Sequence, residues 1–241
     1  MKSLVLHITN DALLKKPEDG VLEISPPGQN KVRARRVVTR SRARGTGKYP
    51  SWKIGRMVQW ESPHELNAFR LLDANPAVLA FAEQPAVIVY RLQGETYRHY
   101  PDAVVATSQG SEFWEVKSSV DASSPELIER TRLLAAHLPA MGYGYRMVLG
   151  EDLSRNPRLR NVLTILRHGR RALQLPEREA LRQILDRTGF VCWGAAKEGL
   201  LGQRGRSLLA RSFLEGSVVF DVEQPLGPST RFASTGRPSR D

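Results

Sequence analysis

Three side chains in a short stretch have the types and spacing for phosphoester chemistry: Asp102, Glu115 and Lys117. Residues 100–117 read YPDAVVATSQGSEFWEVK, a strand, a turn cluster at Ser108-Gln109-Gly110-Ser111, and a second strand. Side chains alternate along a strand, so Glu115 and Lys117 share one face and Trp114 and Val116 the other. An Asp on a neighbouring strand can join them. Two carboxylates and a lysine converging there can bind a divalent cation and hold a water beside it. Hard oxygen ligands suit Mg²⁺, which takes one or two protein carboxylates and keeps several waters. Such a metal lowers the pKa of its water and stabilises charge on a phosphate. The same residues also fit a plain hairpin in which Glu115 and Lys117 are solvated neighbours or a weak ion pair.

The spacing, Pro101-Asp102, twelve residues, then Glu115-x-Lys117, resembles the PD-(D/E)xK nuclease pattern. The element that must bring a further acid is the helix predicted over residues 61–74, ESPHELNAFRLLDA. Ser62 is a suitable N-cap, Pro63 falls at the first helical position, and Glu65 lies three residues after the cap, which is a capping box. Glu65 also sits at the edge of the apolar face. It therefore has two readings: a capping glutamate, or a third carboxylate aimed at the sheet. A side chain on a metal cannot also reach back to Ser62.

The whole chain sets the class. Its 241 residues allow one large or two small domains, and 41% hydrophobic content suffices for a core. A formal charge of +11 argues for a polyanionic partner, nucleic acid before membrane. A single cysteine, Cys192, excludes an internal disulfide and a cysteine zinc cluster. No secretory leader and no transmembrane span is expected, so a cytoplasmic, nucleoid-associated location is the expectation. The five histidines, His7, His64, His99, His137 and His168, show no zinc-ligand spacing. His99 is an odd number of residues from Asp102, so on a regular strand it faces away from it.

Residues 1–56 are read as an N-terminal arm. Residues 4–8 could form a short strand, after which Pro17, Gly20, Pro26, Pro27 and Gly28 break regular structure. Residues 31–56 hold ten Lys or Arg and no acid: Lys31, Arg33, Arg35, Arg36, Arg40, Arg42, Arg44, Lys48, Lys53 and Arg56. Tyr49 and Trp52 are interleaved. Such a run suits DNA phosphates better than solvent alone, and Arg33, Arg35, Arg36, Arg40, Arg42, Arg44, Lys48 and Lys53 are the candidate contacts. Residues 57–153 form the expected catalytic unit. After the helix, Asn75-Pro76 is a stop. Residues 77–82 read as a short apolar link, 86–90 as a strand, and Gln93-Gly94-Glu95 as a hairpin turn into 96–100. A helix over 125–138 and a strand over 145–149 complete an α-β-β-β-α-β order.

Within that order, Asp73, Asn75-Pro76, Gln84-Pro85, Pro101-Asp102 and Glu115-x-Lys117 occur in sequence. This set resembles the N-terminal nuclease domain of the TnsA endonucleases of heteromeric transposases. The resemblance covers about residues 57–120. It implies an α/β, restriction-endonuclease-like fold, catalytic Glu65, Asp102, Glu115 and Lys117, and a Mg²⁺ or Mn²⁺ requirement. It also implies cleavage of the 5′, non-transferred strands at transposon ends, beside a DDE-type, TnsB-like transposase subunit and an AAA+, TnsC-like ATPase regulator. Some family members carry Gln where this chain has Glu115. Two rival readings keep the same residues: a stand-alone nuclease of repair, restriction or junction resolution, and a non-catalytic DNA-binding adaptor between transposase and ATPase.

Residues 154–241 are read as a second, mostly helical domain. Helices are expected over 158–173, 176–187, 190–201 and 207–214, followed by a strand over 218–222 and a return at 230–232. Helices followed by a β-hairpin suggest a winged helix, in which Arg204, Arg206 and Arg211 would suit a DNA groove. The resemblance points instead to the ATPase regulator as this domain's partner.

Overall fold

A computed structural model describes residues 18–29, 33–34 and 45–236. The expected strand at 4–8, His7, Lys31 and the candidate DNA contacts Arg35, Arg36, Arg40, Arg42 and Arg44 lie outside the described residues.

The chain enters through strands β1 (Gly20–Ser25), β2 (Gly47–Pro50) and β3 (Met57–Trp60), then helix α1 (Pro63–Ala74). Five strands come next: β4 (Val78–Glu83), β5 (Val87–Leu92), β6 (Glu95–His99), β7 (Ala103–Thr107) and β8 (Gly110–Lys117). They lead to α2 (Ser119–Ala122), α3 (Pro125–His137), β9 (Tyr143–Leu149) and the short α4 (Gly150–Leu153). The remainder is α5 (Arg158–Gly169), α6 (Leu175–Thr188), β10 (Phe190–Cys192), α7 (Trp193–Lys197), α8 (Gly205–Glu215), β11 (Val218–Val219) and β12 (Arg231–Ser234).

The central sheet has the order β4-β7-β8-β9. Its first three strands are antiparallel neighbours and β9 runs parallel to β8. Helix α3 makes the crossover that a parallel pair requires. The framework α1-β4-β7-β8-α3-β9 is compatible with a nuclease-like fold and keeps the anticipated α-β-β-β-α-β order. The strand that opens it differs. Residues 77–82, expected as a link, fall almost wholly in the edge strand β4, paired with β7 from Val78↔Thr107 to Glu83↔Ala103. The hairpin β5-β6 belongs to a separate sheet of order β1-β5-β6. Its two-residue turn, Gln93-Gly94, has φ of 55° and 84°, the mirror-image turn that matches strand twist.

The N-terminal region is more integrated than an arm. Strand β1 pairs with β5, a bulge lying between Val21 and Glu23. Strands β2 and β3 form a hairpin that carries Tyr49 and Val58 into a core with Phe69, Leu72, Val78, Phe81, Ala103 and Val105. The basic segment is pinned by Asp73, which is wholly buried on α1. Its carboxylate accepts from Tyr49 Oη, Ser51 Oγ and the backbone amides of Trp52 and Lys53, while Trp52 Nε1 donates to its carbonyl. Burying a charge is tolerable when donors surround it this completely. A second core, Ile88, Tyr90, Phe113, Leu134, Leu138 and Tyr145, lies between the sheets and α3.

In the C-terminal half, residues 190–201 are not one helix. Phe190–Cys192 pair with β12 as a strand, and only Trp193–Lys197 are helical. The three strands have the order β10-β12-β11. Helix α8 is buried along its length, with no exposed residue. It packs on α5 and shares a core with Ile165, Trp193, Phe232 and, from α1, Ala74. The arginines anticipated for a DNA groove are turned to internal partners. Arg204 pairs with Glu177 at 2.6 Å, Arg211 pairs with Glu215 at 2.6 Å and lies over the Trp52 ring, and Arg206 lies over Trp193.

Candidate active site

The site forms where β6, β7 and β8 meet. At Tyr100-Pro101 the chain leaves one sheet and enters the other, and Asp102 stands at that joint. Its amide donates to Trp114 O at 2.9 Å, and its Oδ2 accepts from Val116 N at 2.7 Å. Asp102 is thus clamped to the strand that carries Glu115 and Lys117. Those two alternate with Val116, as the period of a strand requires. Lys117 Nζ lies 2.8 Å from Glu115 Oε1 and 4.0 Å from Asp102 Oδ2. The Glu115 side chain is 4% exposed and that of Lys117 31%, so the lysine marks the open side.

Three further side chains complete the cluster, and none was expected there from the sequence. Arg130, on α3, donates to Glu115 Oε1 at 2.9 Å. His99 places Nε2 at 3.3 Å from Glu115 Oε2 and at 3.1 Å from the Tyr145 hydroxyl. The expectation that His99 faces away from the site is corrected: parity holds only along a continuous strand, and the chain bends at Tyr100-Pro101 between β6 and β7. Arg130 lies three residues after Leu127 and four before Leu134, a charge on the inward face of the helix, and that was the one signal available for it.

Glu65 stands differently from the other acids. Its amide donates to Ser62 Oγ at 3.1 Å, and its own Oε1 and Oε2 accept from Ser62 Oγ at 3.2 Å and Glu61 N at 2.9 Å. Of its two sequence readings, the capping arrangement is the one present. Helix α1 packs on the face of β8 that carries Val116, opposite to Glu115. Glu65 is nevertheless near enough to interact electrostatically with Asp102 and Lys117. Next to it, a Cβ on Gly150 would lie 2.3 Å from the His64 ring, so glycine there lets the start of α1 close onto the end of β9.

The electrostatics are those of crowded acids. Burial, then the neighbouring Glu115 charge, pushes the Asp102 carboxyl well above the usual range. Burial likewise raises Glu65. Burial pulls Lys117 down, but the Asp102 and Glu115 carboxylates outweigh it and hold the amine above its ordinary value. Burial lowers His99 to about 4, so the imidazole is neutral at physiological pH.

Asp102, Glu115 and Glu65 are hard oxygen donors, the type that Mg²⁺ or Mn²⁺ takes, and a cation beside the buried Asp102 and Glu115 carboxyls would favour their ionised forms. The donor set fits a divalent ion in kind. The arrangement is that of an ion-paired site, because Lys117 and Arg130 occupy Glu115 Oε1. Among the described residues no three His, Cys, Asp or Glu side chains are gathered closely enough to hold a metal.

Of the described candidate DNA contacts, Lys48 is exposed on β2. Arg33 instead donates through Nε to the buried Glu83 at 2.7 Å, alongside Arg56. Lys53 Nζ donates to the carbonyls of Asn75 and Val78. Both cations hold the segment against the fold.

Residues 75–149 match the family model of the TnsA-like endonuclease N-terminal domain. No curated protein matches the chain. The matched segment runs from the end of α1 to the end of β9 and contains Asp102, Glu115, Lys117 and Arg130. The match supports assignment of the chain to the TnsA endonuclease family. No helix among the described residues is long and apolar enough to cross a membrane.

Proposed function

We propose that this protein is the divalent-metal-dependent DNA endonuclease subunit of a heteromeric transposase, cutting the 5′ strands at transposon ends. The observation that carries the reading is the convergence of Lys117 on two carboxylates from different strands, 2.8 Å from Glu115 and 4.0 Å from Asp102, within the family-matched segment.

Asp102 and Glu115 would hold Mg²⁺ or Mn²⁺, with Glu65 available after leaving its cap. The ion would supply an activated water and charge stabilisation at the phosphate. Lys117, kept cationic by its two carboxylate neighbours, acts as a donor and not as a base. It orients the attacking water or holds a non-bridging phosphate oxygen. In the ion-free site Arg130 and His99 each engage one oxygen of Glu115. Tyr145 holds His99 in turn. The products would carry 5′-phosphate and 3′-hydroxyl ends.

The C-terminal half has the order α6-β10-α7-α8-β11-β12, with β12 between β10 and β11, which supports a winged-helix-like reading. The burial of α8 leaves that helix no free face for a DNA groove and favours a protein partner, the AAA+ regulator, for this unit. The test is strand-resolved: cleavage of end-labelled duplexes bearing the element's ends, with and without the cognate DDE-type transposase and Mn²⁺. Cuts confined to the 5′ strands and dependent on the transposase support the reading. Cuts independent of end sequence and transposase would replace it with a stand-alone nuclease.

A further inference from the structure

A second cationic surface lies on α5, distinct from Arg204, Arg206 and Arg211. No Asp or Glu occurs between Asp152 and Glu177, while Arg155, Arg158, Arg160, Arg167, Arg170 and Arg171 do. The structure sorts these six. Arg155 pairs with Asp152 and Arg158 with Glu223. Arg170 donates to Pro50 O at 2.8 Å and lies 5.6 Å over the Tyr49 ring. Arg160, Arg167 and Arg171 are exposed and have no ion-pair partner among the described residues. Arg160, Thr164 and Arg167 fall at i, i+4 and i+7 on α5, one stripe along its outer face, and Arg171 follows just beyond the helix end at Gly169. Val162, Ile165 and Leu166 bury the opposite face. Arg160, Thr164 and Arg167 border a shallow concavity floored by Leu159 and Leu163.

We propose that this stripe is a duplex-DNA backbone contact, acting with the exposed Lys48 of β2. Two arguments select DNA. Three unneutralised guanidinia repel one another and persist where a polyanion compensates them. The end of α5 is bolted through Arg170 to Pro50, the last residue of β2, and β2 also presents the exposed Lys48. The end of α5 and the strand that presents Lys48 are thus held together. From Arg160 to Arg167 the helix spans about 10 Å at ~1.5 Å per residue. This matches about three phosphates on one strand at ~3.4 Å each. The C-terminal half would then hold DNA by the outside of α5 and not by α8, contacting backbone and reading no sequence.

This inference rests on the DNA reading above but is tested without cleavage. The full chain and its Arg160→Gln/Arg167→Gln/Arg171→Gln variant are titrated with a fluorescent duplex in EDTA, from about 50 to 200 mM salt. Losing three phosphate contacts should lower the slope of log K against log salt by about 2.7, with at least tenfold weaker binding at the midpoint and an unchanged melting temperature. An unchanged slope and affinity in a folded variant overturns the proposal and assigns the stripe to another partner, such as an acidic protein. Absence of duplex binding by wild type overturns it as well. In either case, metal-dependent nicking by wild type would show that the nuclease reading survives separately.

Discussion

The guanidinium of Arg130 and the carboxylate of Glu115 lie 2.9 Å apart, joining helix α3 to the strand that carries the candidate catalytic lysine. The contact falls on Oε1, the same oxygen that Lys117 reaches. A divalent ion drawing on that oxygen must displace one of two resident cations. Of the two, Arg130 is the one that the proposed reaction does not use as a donor to water or phosphate.

Arg130→Gln should therefore tighten Mn²⁺ binding, on the order of tenfold for about 1.4 kcal/mol of lost competition. Calorimetric titration of the metal-free protein measures this directly. Weaker Mn²⁺ binding in the variant would mean that Arg130 supports the ligand geometry and does not compete with it.

Asp102→Asn should stabilise the metal-free protein, increasingly so as pH rises. The Asp102 carboxyl is raised above its ordinary 3.8 by burial and by Glu115. A raised acid contributes stability that is fully present below the ordinary value and lost as pH rises through the folded one. The melting-temperature difference, variant minus wild type, should grow from acid toward neutral pH in EDTA. A difference that is flat with pH contradicts the crowded-acid account.

His99 works in the opposite sense. Burial lowers it from 6.5 to about 4, so its contribution is full above 6.5 and falls away as pH drops through that window. His99→Gln should flatten the acid limb of the melting curve between those values while keeping a hydrogen bond to Tyr145. An acid limb as steep as in wild type would assign that loss to other groups.

Much of the site was legible because its signals are local. The alternation over 113–117 placed Glu115 and Lys117 on one face, and Ser62-Pro63 with Glu65 announced the start of α1. What was not legible depends on contacts distant in sequence. Strand β4 reads as a link because VLAFAE is short and its burial comes from Phe69 and Val105. His99 and Arg130 reach Glu115 from a different sheet and a different helix. The inward turn of Arg204 and Arg211 depends on Glu177, Glu215 and Trp52, which no local pattern reveals. Asp73 stood out only as part of a motif, yet it anchors the basic segment.

Asp73→Ala should be severe, because it strands several buried donors at about 1–3 kcal/mol each. A loss of at least about 3 kcal/mol corresponds to a melting temperature roughly 6–12 °C lower. Hydrogen exchange should show residues 49–53 losing protection first. Protection retained there would mean that the hairpin is held by its apolar contacts alone.

The most direct measurement is nicking of a supercoiled plasmid bearing the element's ends, with Mn²⁺ and the cognate transposase, by wild type and by Asp102→Asn. The account predicts nicks by wild type and their loss in the variant, with DNA binding retained by both. Equal behaviour of the two proteins, each folded and bound to DNA, would contradict it and leave the chain as a DNA-binding adaptor.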